Sequence, residues 1–213
     1  WKGRSPVVVE RPLVAVLPFE NLGGPEDAYF ADGVTEEITA RLARISGIRV
    51  ISRTTAMRYR GTTQSLQEIA RELGVQYVLE GTIRTERLAN GSGQVRVTPD
   101  LVRADDDTHL WTDAYTAGLA PGEIFAVQSR IAERVAEAFN VSLLTPEVEA
   151  VRKGETADSA AYRATLLGRY QLARETPESL REAIGHFERA TMLDPRYARP
   201  HAGLAAVYLR LPF

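Results

Sequence analysis

Cysteine is absent from all 213 residues of this chain. Its absence excludes disulfide staples, cysteine-ligated zinc sites and cysteine nucleophiles. It leaves the redox compartment undecided, because a chain without cysteine suits either side of a membrane.

Long apolar runs and a surplus of positive charge are missing as well. Apolar runs such as residues 13–17 are far shorter than the roughly 20 residues that cross a bilayer, and residues 1–4 lead into no apolar stretch typical of a signal peptide. The formal net charge of −2 gives no electrostatic basis for binding nucleic acid. We therefore expect no nucleic-acid partner, and a membrane contact only through a segment upstream of this chain.

The sequence also lacks the common catalytic and metal-binding motifs. Gly23-Gly24 has no Lys-Ser/Thr pair of a phosphate loop, and no Gly-x-Gly-x-x-Gly or Gly-x-Ser-x-Gly occurs. The three histidines share no zinc-ligand spacing. Residues 105–107 are three aspartates close to His109, but they lack the ligand spacing and the closing Glu of an EF-hand, so a polar hairpin turn is favoured over a cation site. We expect no metal, no cofactor and no enzymatic activity in this chain.

What is present is an alternation of short strands and helices. Residues 13–17 are typical of a strand buried on both faces, and residues 48–52 and 76–84 are two further predicted strands. Between them, apolar residues recur at helical spacing: Val34, Ile38, Leu42 and Ile45. Ser65 and Glu68 form a capping box at the start of a second helix, and Gly74 has the place of a left-handed residue at its end.

The next segment is typical of an antiparallel meander. Strands around Val95 and over residues 109–116 are separated by turns at residues 90–93 and 105–107. Pro99 cannot donate to a strand ladder, so its strand is predicted to be an edge or to carry a bulge there. A long helix follows, with apolar residues three or four apart from Ile124 to Phe139.

The C-terminal part has the spacing of a tetratricopeptide unit. Ala183, Phe187 and Ala190 lie twelve, eight and five residues before Pro195, as the second helix of such a unit requires. Leu167-Gly168 fits the close-contact position of the first helix, although the turn between the helices is about three residues longer than usual. Residues 204–208 begin a second unit, which gives about one and a half repeats.

Four stretches of the first part resemble the TolB-like N-terminal family, which is related to FlgO-like domains. They are VAVLPFENL, YFADGVTEEI, LGVQYVLEG and HLW, within residues 13–144. Pro99 departs from that family's pattern. The resemblance implies a place between a tetratricopeptide array and a membrane-anchored bacterial signalling part, such as a kinase, a nucleotide cyclase or a CadC-like winged-helix regulator. None of those effector sequences is present in this chain.

The predicted fold is therefore an α/β (α+β) domain with a mixed sheet and antiparallel meander, followed by an all-α helical-repeat segment. We predict a linker or juxtamembrane tail at residues 1–12, the α/β domain at 13–144, a connector at 145–157 and the repeat helices at 158–213. The predicted function is a non-catalytic scaffold that docks a protein or peptide, with homo-oligomer formation left open. The alternative is a small-ligand sensor. The resemblance implies an extracytoplasmic, periplasmic location.

The predicted binding site is the groove of the helical repeats. Taking Leu167-Gly168 as the packing pair, eight side chains are predicted to face the groove: Tyr162, Thr165, Arg169, Leu172, Arg199, Ala202, Ala206 and Leu209. The binding site is assigned to four of them: Tyr162, Arg169, Leu172 and Arg199. Two arginines suit a carboxylate or an acidic peptide, because guanidinium binds carboxylate through two hydrogen bonds. If both are solvated, reversing their charge changes stability by only about 0–1 kcal/mol.

Two other charged groups have structural alternatives. Asp32, Glu36 and Glu37 near a predicted helix start suit either paired acid–base chemistry or interaction with the helix dipole, and the dipole is favoured. A basic patch of three arginines with Tyr59 suits an anion, but a solvated loop with Tyr59 against the core is favoured. These arginines are Arg53, Arg58 and Arg60.

Overall fold

The computed structural model describes residues 11–87, 93–152 and 155–211. The strands are β1 (Leu13–Val16), β2 (Glu20–Asn21), β3 (Arg49–Val50), β4 (Tyr77–Arg87), β5 (Gly93–Arg103), β6 (Thr108–Thr112) and β7 (Tyr115–Gly118). The helices are α1 (Ala28–Leu42), α2 (Arg53–Ala56), α3 (Leu66–Leu73), α4 (Pro121–Ala138), α5 (Thr145–Arg152), α6 (Ser159–Leu172), α7 (Pro177–Leu193) and α8 (Ala198–Tyr208). Short 3-10 turns occupy Pro25–Asp27 and Met57–Tyr59. No helix in the described ranges has the length and apolar character needed to span a membrane.

The sheet is mixed, as predicted. Its main path runs β3-β1-β4-β5-β6, with β2 also paired to β4 and β7 also paired to β5. β1 is parallel to both β3 and β4, whereas β5 is antiparallel to β4, β6 and β7. The parallel half comes from the alternating strands and helices, and the antiparallel half comes from the meander.

Pro99 lies in a central strand, so the prediction of an edge strand is wrong. β5 pairs with β4 along its whole length, and Pro99 is opposite Gly81. On the other side, residues 94–97 of β5 pair with β7 and residues 100–103 pair with β6. Pro99 thus falls in the gap between two neighbouring strands, and the register shift in this ladder comes later, between Leu101 and Val102.

The local signals of α3 are confirmed. Ser65 Oγ accepts from the backbone N–H of Glu68, and the Glu68 carboxylate accepts from the backbone N–H of Ser65. Gly74 ends the helix in the left-handed conformation, with φ of 65°. The predicted turn at residues 90–93 falls mostly outside the described residues, as does the predicted tail at residues 1–12.

Two hydrophobic layers cover the sheet. On one face, Ala15 and Val78 pack with Ile69 and Ala70 of α3. On the other face, α1 and α4 pack against the sheet, and the buried residues of the predicted helix stripes belong to this larger core. Val14, Ile38 and Ile131 there have no exposed surface.

The predicted connector at residues 145–157 contains helix α5. Its Val151 is fully buried, and the Val151 carbonyl accepts a hydrogen bond from Ser129 Oγ of α4 at 2.8 Å. The Arg41 guanidinium of α1 donates to the same carbonyl. This segment therefore packs on the α/β part.

Helix α6 packs directly on α1 and joins the main core. Tyr162 and Leu166 of α6 are buried in the same cluster as the sheet residues. An added Cβ at Gly33 of α1 would lie 2.5 Å from Leu166, so the glycine allows the close approach of the two helices. Helix α6 thus shares the core of the α/β part, and it connects that core to the separate cluster around Phe187.

The three C-terminal helices pack around Phe187. Ala183, Phe187 and Ala190 of α7 have no exposed surface. An added Cβ at Gly168 would lie 2.7 Å from the Phe187 ring. The predicted close-contact role of Gly168 is confirmed.

A Gly168→Ala substitution tests this packing. Because the Phe187 ring is buried and cannot move away, overpacking should lower the free energy of unfolding by about 1–3 kcal/mol. Gly185→Ala on α7 is the matched control, since an added Cβ there meets nothing within 4 Å, and it should stabilise by about 0.5–1 kcal/mol. Urea denaturation measures both, and equal effects at the two positions would contradict the packing.

Candidate functional site

Helix α1 carries three carboxylates in a mostly buried environment. Asp32, Glu36 and Glu37 have side chains that are 10%, 19% and 4% exposed. α1 begins at Ala28, so the three residues lie beyond its first turn, where the helix dipole has little effect. The interpretation that the dipole holds them is therefore corrected, since arginines from other segments pair with them.

Two arginines of the helical part contact α1. Arg169 of α6 pairs with Glu36, and its Nη1 lies 3.2 Å from Glu37 Oε1. Arg199 of α8 also pairs with Glu37, and its Nη2 donates to Glu155 Oε1 at 2.8 Å. Glu37 thus receives two guanidinium groups from two helices that follow it by more than 130 positions.

Two arginines of the α/β part also pair with carboxylates of α1. Arg53 Nε of α2 lies 3.1 Å from Glu36 Oε2, and Arg60 pairs with Asp32. Asp32 and Glu36 are one helical turn apart, so they face the same side of α1. We call the group of α1 carboxylates and their arginines the α1 clamp: Asp32, Glu36, Glu37, Arg53, Arg60, Arg169 and Arg199.

Burial affects the arginines of the α1 clamp. It lowers the pKa of Arg169 to about 10 and that of Arg199 to about 10, and it also lowers the pKa of Arg53. Both values near 10 are well above neutral pH, so these guanidinium groups remain charged. Removing a charge from a largely buried pair leaves its partner unpaired, which is costly even where the pair itself adds little stability.

The predicted groove residues do not line one continuous groove: Tyr162 and Thr165 are buried, whereas Arg169 and Leu172 border a cleft between α2 and the ends of α6 and α8. Tyr162 is 3% exposed and packs edge-on against Phe125 of α4, with ring centroids 5.1 Å apart. Its hydroxyl accepts from Gln128 Nε2 at 3.4 Å, and burial raises its pKa. Leu172 is partly buried beside the Phe187 cluster. The structure therefore corrects the exposure expected at Tyr162.

Arg169 and Arg199 are also corrected from solvated to paired. Their side chains are 21% and 20% exposed, and both face α1 instead of open solvent. The physical reason is that α1 packs on the side of α6 and α8 where a groove was expected. Binding of a partner at these four residues stays a prediction.

The basic patch around Tyr59 is divided by the structure. Arg53 and Arg60 pair with α1, whereas Arg58 is exposed. Tyr59 packs against the α3 layer, and its hydroxyl donates to Glu72 Oε2 at 2.8 Å. The predicted position of Tyr59 against the core is confirmed, but the predicted solvated loop is wrong, because the segment is helical and two of its arginines are paired.

The aspartates at residues 105–107 form the predicted turn. Asp106 Oδ1 accepts from the Thr108 backbone N–H at 3.3 Å and from Arg103 Nε at 3.1 Å. In the described part of the chain, no three or more His, Asp or Glu side chains come together as a metal-binding group. The carboxylates of this turn thus serve its own hydrogen bonds.

A crevice of about 660 Å³ opens beside the carboxyl end of β1. β1 lies between β3 and β4, which follow it in the chain, so the strand order reverses at β1. Ligands of open α/β sheets bind at the carboxyl ends of strands where the order reverses in this way. Phe19 and Tyr59 line one part of the crevice, and Glu80 and Asp100 line another.

Glu80 lines this crevice, and His109 lies outside its lining but contacts Asp100, which lines it. Burial, with the nearby Asp100 charge, raises the pKa of Glu80. His109 Nδ1 lies 2.8 Å from Asp100 Oδ1, and this hydrogen bond raises the pKa of His109.

Sequence reasoning missed Glu155 and the pairing role of Glu36 and Glu37. For Glu36 and Glu37 the one available signal was their position in a helix whose other residues are largely apolar, because glutamates in such a helix need charged partners when they are buried. The identity of those partners depends on long-range packing that no local pattern carries.

The family whose model matches this chain is described as the second domain of HilA/YgeH-like transcriptional regulators. The match covers residues 10–134, which is more than half of the chain. It includes the whole sheet and most of α4.

One curated relative aligns along almost the entire chain. It is "Putative adenylate cyclase 3" of Rhizobium meliloti (strain 1021), 36% identical over 205 residues. The alignment covers 96% of this chain and 34% of the relative, so the chain spans about a third of that protein's length.

Similar solved structures include three bacterial proteins. The Acinetobacter baumannii TolB structure is 17% identical with a TM-score of 0.43, covering 61% of this chain and 28% of TolB. Lipoprotein GNA1162 of Neisseria meningitidis is 14% identical with a TM-score of 0.43, covering 59% and 99% of the two chains. A PelC dodecamer of Paraburkholderia phytofirmans, solved as a single-residue variant, is 18% identical with a TM-score of 0.41, covering 62% and 89%.

A double-mutant cycle tests the α1 clamp. Glu37→Gln and Arg199→Gln should each destabilise the chain, and their effects should be coupled by about 1–3 kcal/mol because the two side chains are largely buried and in contact. The free energy of unfolding in urea is the measurement.

The exposed pair Glu178 and Arg181 provides the control cycle, with Nη1 and Oε1 3.8 Å apart on one face of α7. Coupling in that cycle should stay below about 0.5 kcal/mol. A Glu37–Arg199 coupling no larger than the control would show that the clamp is not formed in solution.

Proposed function

This chain belongs to the family of HilA/YgeH-like transcriptional regulator second domains, and we propose that it is a non-catalytic interaction module of a larger signalling or regulatory protein. In this proposal the module docks a protein or peptide partner. The observation that carries it is the α1 clamp with the shared core, which joins the α/β part and the helical part into one binding unit.

The length of the alignment supports a single module. The 36% identity to the cyclase-named relative extends over 205 residues, through both the α/β part and the helices. We propose that both parts are needed for binding a partner. In this proposal the predicted domains at residues 13–144 and 158–213 are two parts of one module.

We propose that α6, α7 and α8 begin a tetratricopeptide array. The support is the packing of Gly168 against Phe187, with Ala183 and Ala190 buried on either side of that ring. Small residues at such positions let two helices approach closely, and each unit of a helical array contacts its neighbours. Arrays of this kind present surfaces that bind peptides or proteins.

We propose that any catalytic activity of the parent protein lies outside this chain. The carboxylates of α1 are engaged by arginines, and this pairing favours a structural role over acid–base chemistry. The cyclase in the relative's name belongs to a protein of about three times this length. The extracytoplasmic location implied by the TolB-like resemblance remains part of the proposal.

Two measurements on the purified chain test the module function. Incubation with ATP or GTP and a divalent cation should give no cyclic nucleotide above background. Immobilised chain should capture a protein from the source cells, and the binding should be reproduced with the purified partner. Turnover that a Glu36→Gln substitution abolishes would contradict the proposal, as would a failure to bind any protein.

A small-ligand sensor is the second candidate, and the crevice at the end of β1 favours it. In that case a small molecule should raise the melting temperature of the chain, and Thr62→Trp, which fills the mouth of the crevice, should remove the effect. Thr145→Trp, at an exposed position outside the crevice, is the control. Equal ligand effects in both variants would reject the crevice as the sensor site.

A further inference from the structure

A second cleft, of about 790 Å³, lies between the α2 side of the α/β part and the ends of α6 and α8. Arginines line both of its walls. Those of one wall are Arg53, Arg58 and Arg60, and those of the other are Arg169, Arg174 and Arg210. We name this site the arginine cleft.

The arginine cleft is positive in a chain that is slightly negative as a whole. Its six arginines face three carboxylates, those of Asp32, Glu36 and Glu175, whereas the whole chain has a net charge of −2. Positive charge is thus in local excess where the two parts of the chain meet. Such concentration attracts anionic groups and speeds their association.

Two of these arginines are available to a ligand. Arg58 is exposed and has no ion pair or hydrogen bond within residues 11–87, 93–152 and 155–211. Arg174 is exposed and donates to the neutral Gln171 Oε1 at 3.3 Å. They stand on opposite walls, so an extended ligand in the cleft can reach both.

We propose that the arginine cleft docks an acidic peptide segment of a protein partner. This proposal rests on the proposed function and specifies the partner's chemistry. Guanidinium groups bind carboxylates through paired hydrogen bonds. Between the arginines the cleft offers Met57, Tyr170 and Leu172, which suit the apolar side chains of a peptide.

Other anions fit the cleft less well. A nucleic acid presents a continuous row of phosphates, whereas the carboxylates of the cleft interrupt its arginines, so its positive charges are spaced apart. A small phosphate compound would need converging donors, whereas Arg58 and Arg174 stand on separate walls. A peptide with spaced carboxylates and apolar residues matches both features.

The proposed site shares Arg169 and Leu172 with the groove predicted from the sequence, but it relies on other arginines. That groove relied on Arg169 and Arg199, which are bound to α1 carboxylates. Carboxylates of the chain itself already occupy those two arginines, and this contact is an internal example of the recognition that we assign to Arg58 and Arg174.

Fluorescence anisotropy with the complete chain tests the proposal. The probe is a fluorescein-labelled peptide of glutamate and leucine, and the probe control replaces every glutamate by glutamine. The glutamate peptide should bind, the glutamine peptide should not, and added salt should weaken binding. Arg58→Glu combined with Arg174→Glu should weaken binding by about tenfold or more, since it replaces two attractions by two repulsions.

Arg189→Glu is the matched control, because Arg189 is exposed on α7 away from the cleft. It should bind the peptide as the unchanged chain does, and melting temperatures should confirm that every variant is folded. Equal binding by the double variant and the control would overturn the proposal. Tighter binding of ATP or of duplex DNA at the same arginines would also overturn it.

The result separates this proposal from the module function. If the chain binds a protein partner but the double variant binds that partner equally well, the module function stands and the arginine cleft is rejected. If the chain binds no protein while the peptide probe binds, the charge recognition stands and the module function is rejected.

Discussion

The burial of helix α1 on both of its sides is the constraint on which this structure depends. One side covers the sheet together with α4, and the other side receives α6 and carries the carboxylates that bind Arg169 and Arg199. Because those carboxylates are largely removed from water, they need their arginine partners, and the partners come from both parts of the chain. The positions of the helical part and of α2 are therefore fixed by the same helix.

The packing of α6 on α1 limits which surfaces of the helical part are open to a partner. A helical repeat joined by a flexible connector would offer its groove independently of the α/β part. Here α6 packs on α1, and Arg169 and Arg199 pair with the α1 carboxylates. In the proposed function, recognition is therefore assigned to the margins where the two parts meet. The arginine cleft lies at one such margin, and the crevice at the end of β1 lies on the other side of Asp32 and Arg60.

Local sequence patterns predicted the elements well, because their signals are local. The capping box at Ser65, the buried strand β1 and the packing of Gly168 against Phe187 follow from neighbouring residues or from a fixed repeat spacing. Pro99 was misplaced because the second neighbour of its strand is shared between β6 and β7, which a single strand cannot reveal. The solvation expected at Arg169 and Arg199 was wrong for a similar reason, because it depends on a helix more than 130 residues earlier.

Differential scanning calorimetry of the intact chain tests most directly whether α1 joins the two parts into one cooperative unit. The account predicts a single transition whose calorimetric enthalpy equals its van 't Hoff enthalpy, as for a two-state protein. Two separate transitions, or a calorimetric enthalpy well above the van 't Hoff value, would contradict it, because the helical part would then unfold independently of α1.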